Sequence, residues 1–225
     1  MFARRAWLPV MIAVVPTVTV AVCYWLSASG GFIPACNPML EGCTSVSSSG
    51  RHGTAYILFK LGVIPTAGLM ACFWPWCRGW FLSLGLDDSL GLRAMLWLGL
   101  ISAAFLVLYS VFLGSSGEIY QLLRRFGVTI HFSFSYLAQV LLLNRLWDAR
   151  REGKLPLPGY ITTLMFANTL LLFGMGLYSI PVGKLIPDPD DTIINTIEWN
   201  FALLLIGWYL LPAFAWRHAS ADEAP

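Results

Sequence analysis

Charge is what this sequence has least of. Lys, Arg, Asp and Glu together make up 12% of 225 residues, against roughly 25% in an ordinary soluble domain. Net charge is only +2, so the electrostatic footprint of a nucleic-acid binder is missing. Histidine is nearly as scarce, with His52, His131 and His218 alone. No HxxxH or HExxH occurs, and a hydrolytic zinc site needs three ligands and an open position, so no metal is expected. A bis-histidine haem would need His52 and His131 facing each other across the bundle, since His218 lies on the opposite side and cannot join, and no cofactor is expected either. CxxC is absent, which leaves redox catalysis without an exchanging pair. "SSSG" at residues 47–50 is not GxSxG. Internal repeats, low-complexity tracts and a separate soluble domain are all lacking.

Apolar residues fill the space. They are 57% of the chain, with a mean hydropathy of +0.69. Apolar runs recur at the length of about 20 residues that crosses a hydrocarbon core of about 30 Å. Six such runs fall at residues 7–28, 54–76, 93–113, 128–147, 160–182 and 195–216. The fold class expected is therefore all-α: a polytopic transmembrane bundle of six helices over residues 1–217, with 218–225 as a disordered tail. The first run also carries features of a cleaved signal, with Arg4 and Arg5 ahead of it and "SASGG" behind. It is read here as a retained span.

Orientation is read from Lys and Arg on alternate loops. With the N-terminus in the cytoplasm, nine lie inside (Arg4, Arg5, Arg78, Arg93, Arg145, Arg150, Arg151, Lys154, Arg217) and five outside (Arg51, Lys60, Arg124, Arg125, Lys184). Both termini are expected in the cytoplasm, with "NRLWDARREGK" as the main inner anchor. The chain is then a multi-pass protein of a cell membrane, the inner membrane if bacterial. Cys36 and Cys43 share the first outer loop as "CNPMLEGC", and on an oxidising face such a pair reads as a disulfide. A second outer loop, residues 114–127, contains "EIYQLLRRF", an amphipathic piece suited to the interface.

Charged groups inside spans are costly and usually face the bundle interior or water. Lys60, His131 and Glu198 enter the second, fourth and sixth spans at similar shallow depth on the outer side. Arg51 and His52 sit just above them, with Ser45, Ser47, Ser48 and Ser49 in the same loop. Cation, carboxylate, imidazole and hydroxyls at one level suit a lipid phosphate or sugar headgroup. The structural alternative is a Lys60–Glu198 clamp between helices, or side chains reaching to the interface. Gln139, Asn144, Asn168 and Asn200 are read as interhelical hydrogen-bonding groups, and Pro16, Pro65 and Pro181 as kinks or ends of spans.

Three stretches share a pattern with known sequences: "TSVSSSG" after the outer-loop cysteine, "VTIHFSFSYLAQVLLL" in the fourth span, and "INTIEWNFALLLIGWYLLPAF" in the sixth. In this order they resemble the FRAG/DRAM/SFK family of six-span membrane proteins, which includes the damage-regulated autophagy modulators and a Golgi factor in GPI-anchor lipid remodelling. The resemblance singles out Ser45, Ser47, Gly50, His131, Glu198 and Trp199, and implies a lipid-linked role without a defined catalytic mechanism. Thr44 stands where the family has a proline, and GPI remodelling is not transferred.

Three functional expectations follow. The first is a non-enzymatic protein that binds or redistributes membrane lipid at the outer leaflet, with Ser45, Ser47, Ser49, Arg51, His52, Lys60, His131, Glu198 and Trp199 around the headgroup. The second is a membrane enzyme of lipid acyl-group remodelling, in which a loop serine or His131 reacts. The third is an accessory subunit that docks on other membrane proteins.

Overall fold

A computed structural model describes residues 6–182, 185–188 and 190–221, without the side chains of 218–221. Arg4, Arg5 and Lys184, used in the charge count, lie outside that range. Six helices are long and apolar enough to cross a membrane: Trp7–Ser29, Gly53–Ser83, Leu90–Phe112, Glu118–Arg151, Gly159–Ser179 and Thr192–Arg217. None has more than 44% of its most apolar window buried inside the protein. The outward faces are thus as greasy as the inward ones, as a surrounding lipid solvent requires. This is a multi-pass helical membrane protein.

In chain order the helices are α1 (Trp7–Ser29), the short α2 (Pro38–Glu41) and α3 (Val46–Ser49), α4 (Gly53–Ser83), α5 (Leu90–Phe112), α6 (Glu118–Arg151), α7 (Gly159–Ser179), α8 (Thr192–Gly207) and α9 (Leu210–Ala221). The sixth span is α8 and α9, broken at Trp208–Tyr209. Pro212 lacks an N–H and so cannot bond back to a carbonyl one turn earlier, which places it in the first turn of a new helix. Helix α9 runs to Ala221 and so covers part of the segment expected to be a tail. Pro16 and Pro65 lie within continuous helices, whereas Pro181 follows the end of α7.

The spans form a ring in chain order, α1 on α4, α4 on α5, α5 on α6, and α8–α9 returning to α1. The α5–α6 pair is the most extensive contact, and α7 is joined only lightly to α6 and α8. The buried stripe of α6 explains the first: Gly127, His131, Ser135, Ala138, Leu142, Leu146 and Ala149 recur at helical spacing. A Cβ on Gly127 would stand 2.9 Å from the Tyr109 backbone nitrogen, so a glycine there lets α6 approach α5 closely. On α7 the buried stripe of Ile161, Met165, Thr169 and Leu172 stops at Leu172. The last two turns of α7 therefore stand away from their neighbours, leaving space between α6, α7 and α8.

At the end opposite the disulfide, Phe73, Trp74, Tyr209 and Trp216 form an aromatic cluster joining α4 to α8–α9, with centroids of adjacent rings 5.0–6.0 Å apart. The α4–α5 turn is held by Asp88, which takes hydrogen bonds from Arg78 (3.1 and 2.7 Å) and Arg93 (3.0 Å). These bonds, the Arg78 pair first, hold the Asp88 carboxyl below its ordinary range against a smaller opposing effect of burial.

Candidate functional site

The loop after α1 carries the site's upper wall, and its shape follows from short-range chemistry. Cys36 and Cys43 are disulfide-bonded. Asn37 caps α2 through its side chain, and Gly42, at φ 61°, takes the left-handed conformation that ends it. Ser45 caps α3, its Oγ accepting from the Ser48 N–H at 3.0 Å. Four side chains then pin the loop to the bundle. The Tyr24 hydroxyl accepts from the Cys36 N–H at 2.8 Å. From α8, Asn195 donates to the Gly42 carbonyl (3.0 Å), Trp199 Nε1 to that of Thr44 (2.8 Å) and Asn200 to that of Met39 (2.8 Å). The start of α8 is fixed by Asp188, whose carboxylate accepts from the N–H groups of Ile193 and Ile194 and from the Thr192 hydroxyl.

With the loop so placed, α3 sits over α8. The Glu198 carboxylate accepts a hydrogen bond from the Ser47 backbone N–H, and Arg51 donates to the Ser47 hydroxyl. Beside them α6 extends beyond its membrane span. The sequence reading ended the outer loop at residue 127 and began the span at 128. In the structure the amphipathic piece is the start of α6 itself, which at 34 residues is about 51 Å long.

The result is a polar cavity of about 400 Å³, lined by Ser47, Arg51, Tyr109, Glu118, Gln121, Leu122, Arg124, Arg125, Val128 and Glu198. Burial, and after it the nearby Arg124 charge, pulls the Arg51 guanidinium below its ordinary value, while Tyr109 and Glu198 pull it back. The Arg51 Nε is buried and has no hydrogen-bond partner. A second, larger cavity of about 710 Å³ opens in the space between α6, α7 and α8. It is apolar, with Phe132, Tyr136, Phe173, Leu177, Ile197 and Phe201 in its walls, and Val128 and Glu198 line both cavities.

Of the residues expected around a headgroup, Ser47, Arg51 and Glu198 meet at the polar cavity. The others have different work. Ser45 is the α3 cap, and Ser49 is fully buried, its carbonyl accepting from the Ser27 hydroxyl at 2.8 Å. His52 stacks on Phe32 with ring centroids 5.2 Å apart. Lys60 donates to the Tyr56 hydroxyl and, at 3.0 Å, to the Val111 carbonyl at the end of α5. No Lys60–Glu198 clamp forms; the lysine instead serves the exposed carbonyls of a helix C-terminus. His131 is buried between α5 and α6, its Nδ1 2.9 Å from the Ser102 hydroxyl, which also meets Ser135. Trp199 is the loop pin already described. Neither His52 nor His131 is hydrogen-bonded to a loop serine; the serine that His131 meets is Ser102, in the buried α5–α6 contact.

The interhelical amides fall as follows. Gln139 donates to the Leu205 carbonyl at 2.8 Å and Asn168 to that of Leu204 at 3.3 Å, while Asn144 is exposed. Sequence reasoning passed over Arg124, Arg125, Glu118 and Gln121 as site residues. Once α6 is known to be continuous, residues 118, 121, 122, 125, 128, 129, 132 and 136 recur every three or four positions on one helical face, with Arg124 at its flank. That face changes from polar to apolar at residue 128. No family model, curated protein or solved structure matches this chain.

Proposed function

We propose that this multi-pass membrane protein binds a membrane lipid without turning it over. The headgroup enters the polar cavity beside the disulfide loop, and an acyl chain lies in the groove between α6, α7 and α8. One observation carries the reading: Val128 and Glu198 belong to the walls of both cavities, so the charged chamber adjoins the apolar one, and a lipid lying across both would have its headgroup in the first and a chain in the second. A binding site of this kind pairs a mostly apolar lining with a few placed polar groups. A disulfide suits the oxidising side of a membrane, and the excess of Lys and Arg toward the other end supports the same orientation; on this reading the site faces the outer leaflet. Membership of the FRAG/DRAM/SFK family is part of the same proposal, since its members have lipid-linked roles.

The test is native mass spectrometry with lipid analysis on protein extracted in mild detergent. Ser133 is an exposed groove residue on α6, so Ser133→Trp fills the groove without touching the packed core. A lipid retained by wild type and lost from Ser133→Trp is the expected result. Equal retention by both proteins removes the groove from the site.

A further inference from the structure

What headgroup the cavity accepts follows from its donors. Three guanidinium groups line this cavity: Arg51 from the loop before α4, and Arg124 and Arg125 from the early turns of α6. Guanidinium offers five N–H donors, accepts nothing and keeps its charge. Arg51 uses one nitrogen on Ser47 and leaves its buried Nε unpartnered. Arg124 and Arg125 make no hydrogen bond or ion pair with any described residue.

The two carboxylates in the wall do not neutralise this set. Glu198 accepts from the Ser47 N–H, Glu118 is exposed at the rim, and neither forms an ion pair with an arginine among the described residues. Three like charges held around a concavity, with donors to spare, are stabilised by an anion, and arginine suits phosphate because its planar fork binds two oxygens together. A zwitterionic headgroup would bring its own ammonium into a chamber where guanidinium groups outnumber carboxylates and the deeper carboxylate is already hydrogen-bonded. A headgroup with hydroxyls and no amine meets Glu118 and Gln121 as acceptors instead.

Dimensions agree. The lining face of α6 runs from Glu118 to Leu137, about 28 Å at 1.5 Å per residue. Its charged residues all lie before Val128, and its apolar stretch from Val128 to Leu137 covers about 14 Å.

Resting on the lipid reading above, we propose that the ligand is an anionic, amine-free glycerophospholipid of the phosphatidylglycerol class. Its phosphodiester sits among Arg51, Arg124 and Arg125, its headgroup hydroxyls face Glu118 and Gln121, and one chain follows α6 into the groove.

The experiment titrates full-length protein in mild detergent with dioleoyl phosphatidylglycerol and, separately, with dioleoyl phosphatidylcholine, read by native mass spectrometry. Phosphatidylglycerol should bind at least about tenfold more tightly, the scale of one charge-assisted contact. The double variant Arg124→Gln/Arg125→Gln should erase that preference, bringing phosphatidylglycerol binding down to the level of phosphatidylcholine. Both residues are at least partly exposed and without hydrogen-bond or ion-pair partners among the described residues, so this variant tests charge and not folding, which Arg51→Gln would confuse through Ser47. Equal binding of the two lipids by wild type, with both lost in Ser133→Trp, overturns the anionic inference and keeps the lipid reading. No binding of either lipid overturns both. Full displacement of phosphatidylglycerol by millimolar glycerol phosphate, a headgroup without chains, overturns the commitment to a lipid in favour of a soluble phosphate.

Discussion

Replacing Cys36 and Cys43 by serine removes the cross-link that constrains the loop over the cavity, and the size of the effect can be worked out. The cysteines are separated by 7 in sequence, a closed loop of eight residues counting both ends. The chain-entropy relation gives about 2.5 kcal/mol at 25 °C for a loop of that length. This is an upper bound, because α1 and α4 already tether the open loop at both ends. The folded position survives, since Tyr24, Asn195, Trp199 and Asn200 still hold the loop through hydrogen bonds. What changes is how often the loop opens. Hydrogen exchange of a peptide spanning residues 37–50 should quicken by up to roughly seventyfold, one decade for each 1.36 kcal/mol. Peptides from α5 and α6 should exchange as in wild type. Unchanged protection in residues 37–50 would refute the reasoning, and so would an equal loss of protection across the α5–α6 core.

Three other perturbations have defined outcomes. Gly99→Ala puts a Cβ 2.3 Å from the fully buried Trp74 ring and should cost about 1–3 kcal/mol by overpacking; Gly79→Ala, where nothing lies within 4 Å, should be harmless in the same detergent melt. His131→Ala removes the α5–α6 contact to Ser102 and should lower the melting temperature while lipid retention, measured below the transition, stays at the wild-type level. Selective loss of lipid from a fully stable His131→Ala protein would return that histidine to the site. The Asp88 carboxyl is held below its ordinary value by Arg78 and Arg93, so its contribution is present above about pH 4, where an unfolded Asp ionises, and fades as pH falls through the lowered native value. The stability gap between wild type and Asp88→Asn should therefore close on acidification, and a gap that widens would be the wrong sign.

How much of this was legible beforehand depended on whether depth or helical phase decided the matter. The six spans were readable because a run of apolar residues that crosses a bilayer has few alternatives. The Cys36–Cys43 pair was readable from its spacing in one loop. Depth along each span was also readable, and three of the residues it grouped, Glu198, Ser47 and Arg51, line one cavity. It grouped Lys60 and His131 with them because it ignores direction around the axis. His131 follows the stripe of Gly127 and Ser135 that packs on α5, whereas the cavity face of α6 runs through Arg125, Val128 and Phe132. Arg124 and Arg125 were passed over for a different reason. The chain from Glu118 is too polar to count as a span, and nothing local marks it as continuous with the apolar helix below. The close approach of Gly127 to Tyr109 and the stacking of Tyr120 on Phe112 hold that extension against the end of α5. The groove itself is a defect in packing, left where the buried stripe of α7 ends at Leu172.

The central claim is that the charged chamber and the apolar groove are one lipid site. Photocrosslinking tests it most directly, using phosphatidylglycerol with a diazirine on its acyl chain, full-length protein in nanodiscs, and peptide mapping of the adducts. The account predicts adducts concentrated on Phe132, Tyr136, Phe173 and Leu177 and competed by unlabelled phosphatidylglycerol. Adducts spread evenly over outward-facing residues such as Trp25 and Trp97, both more than 60% exposed, with no excess in the groove and no competition, would contradict it.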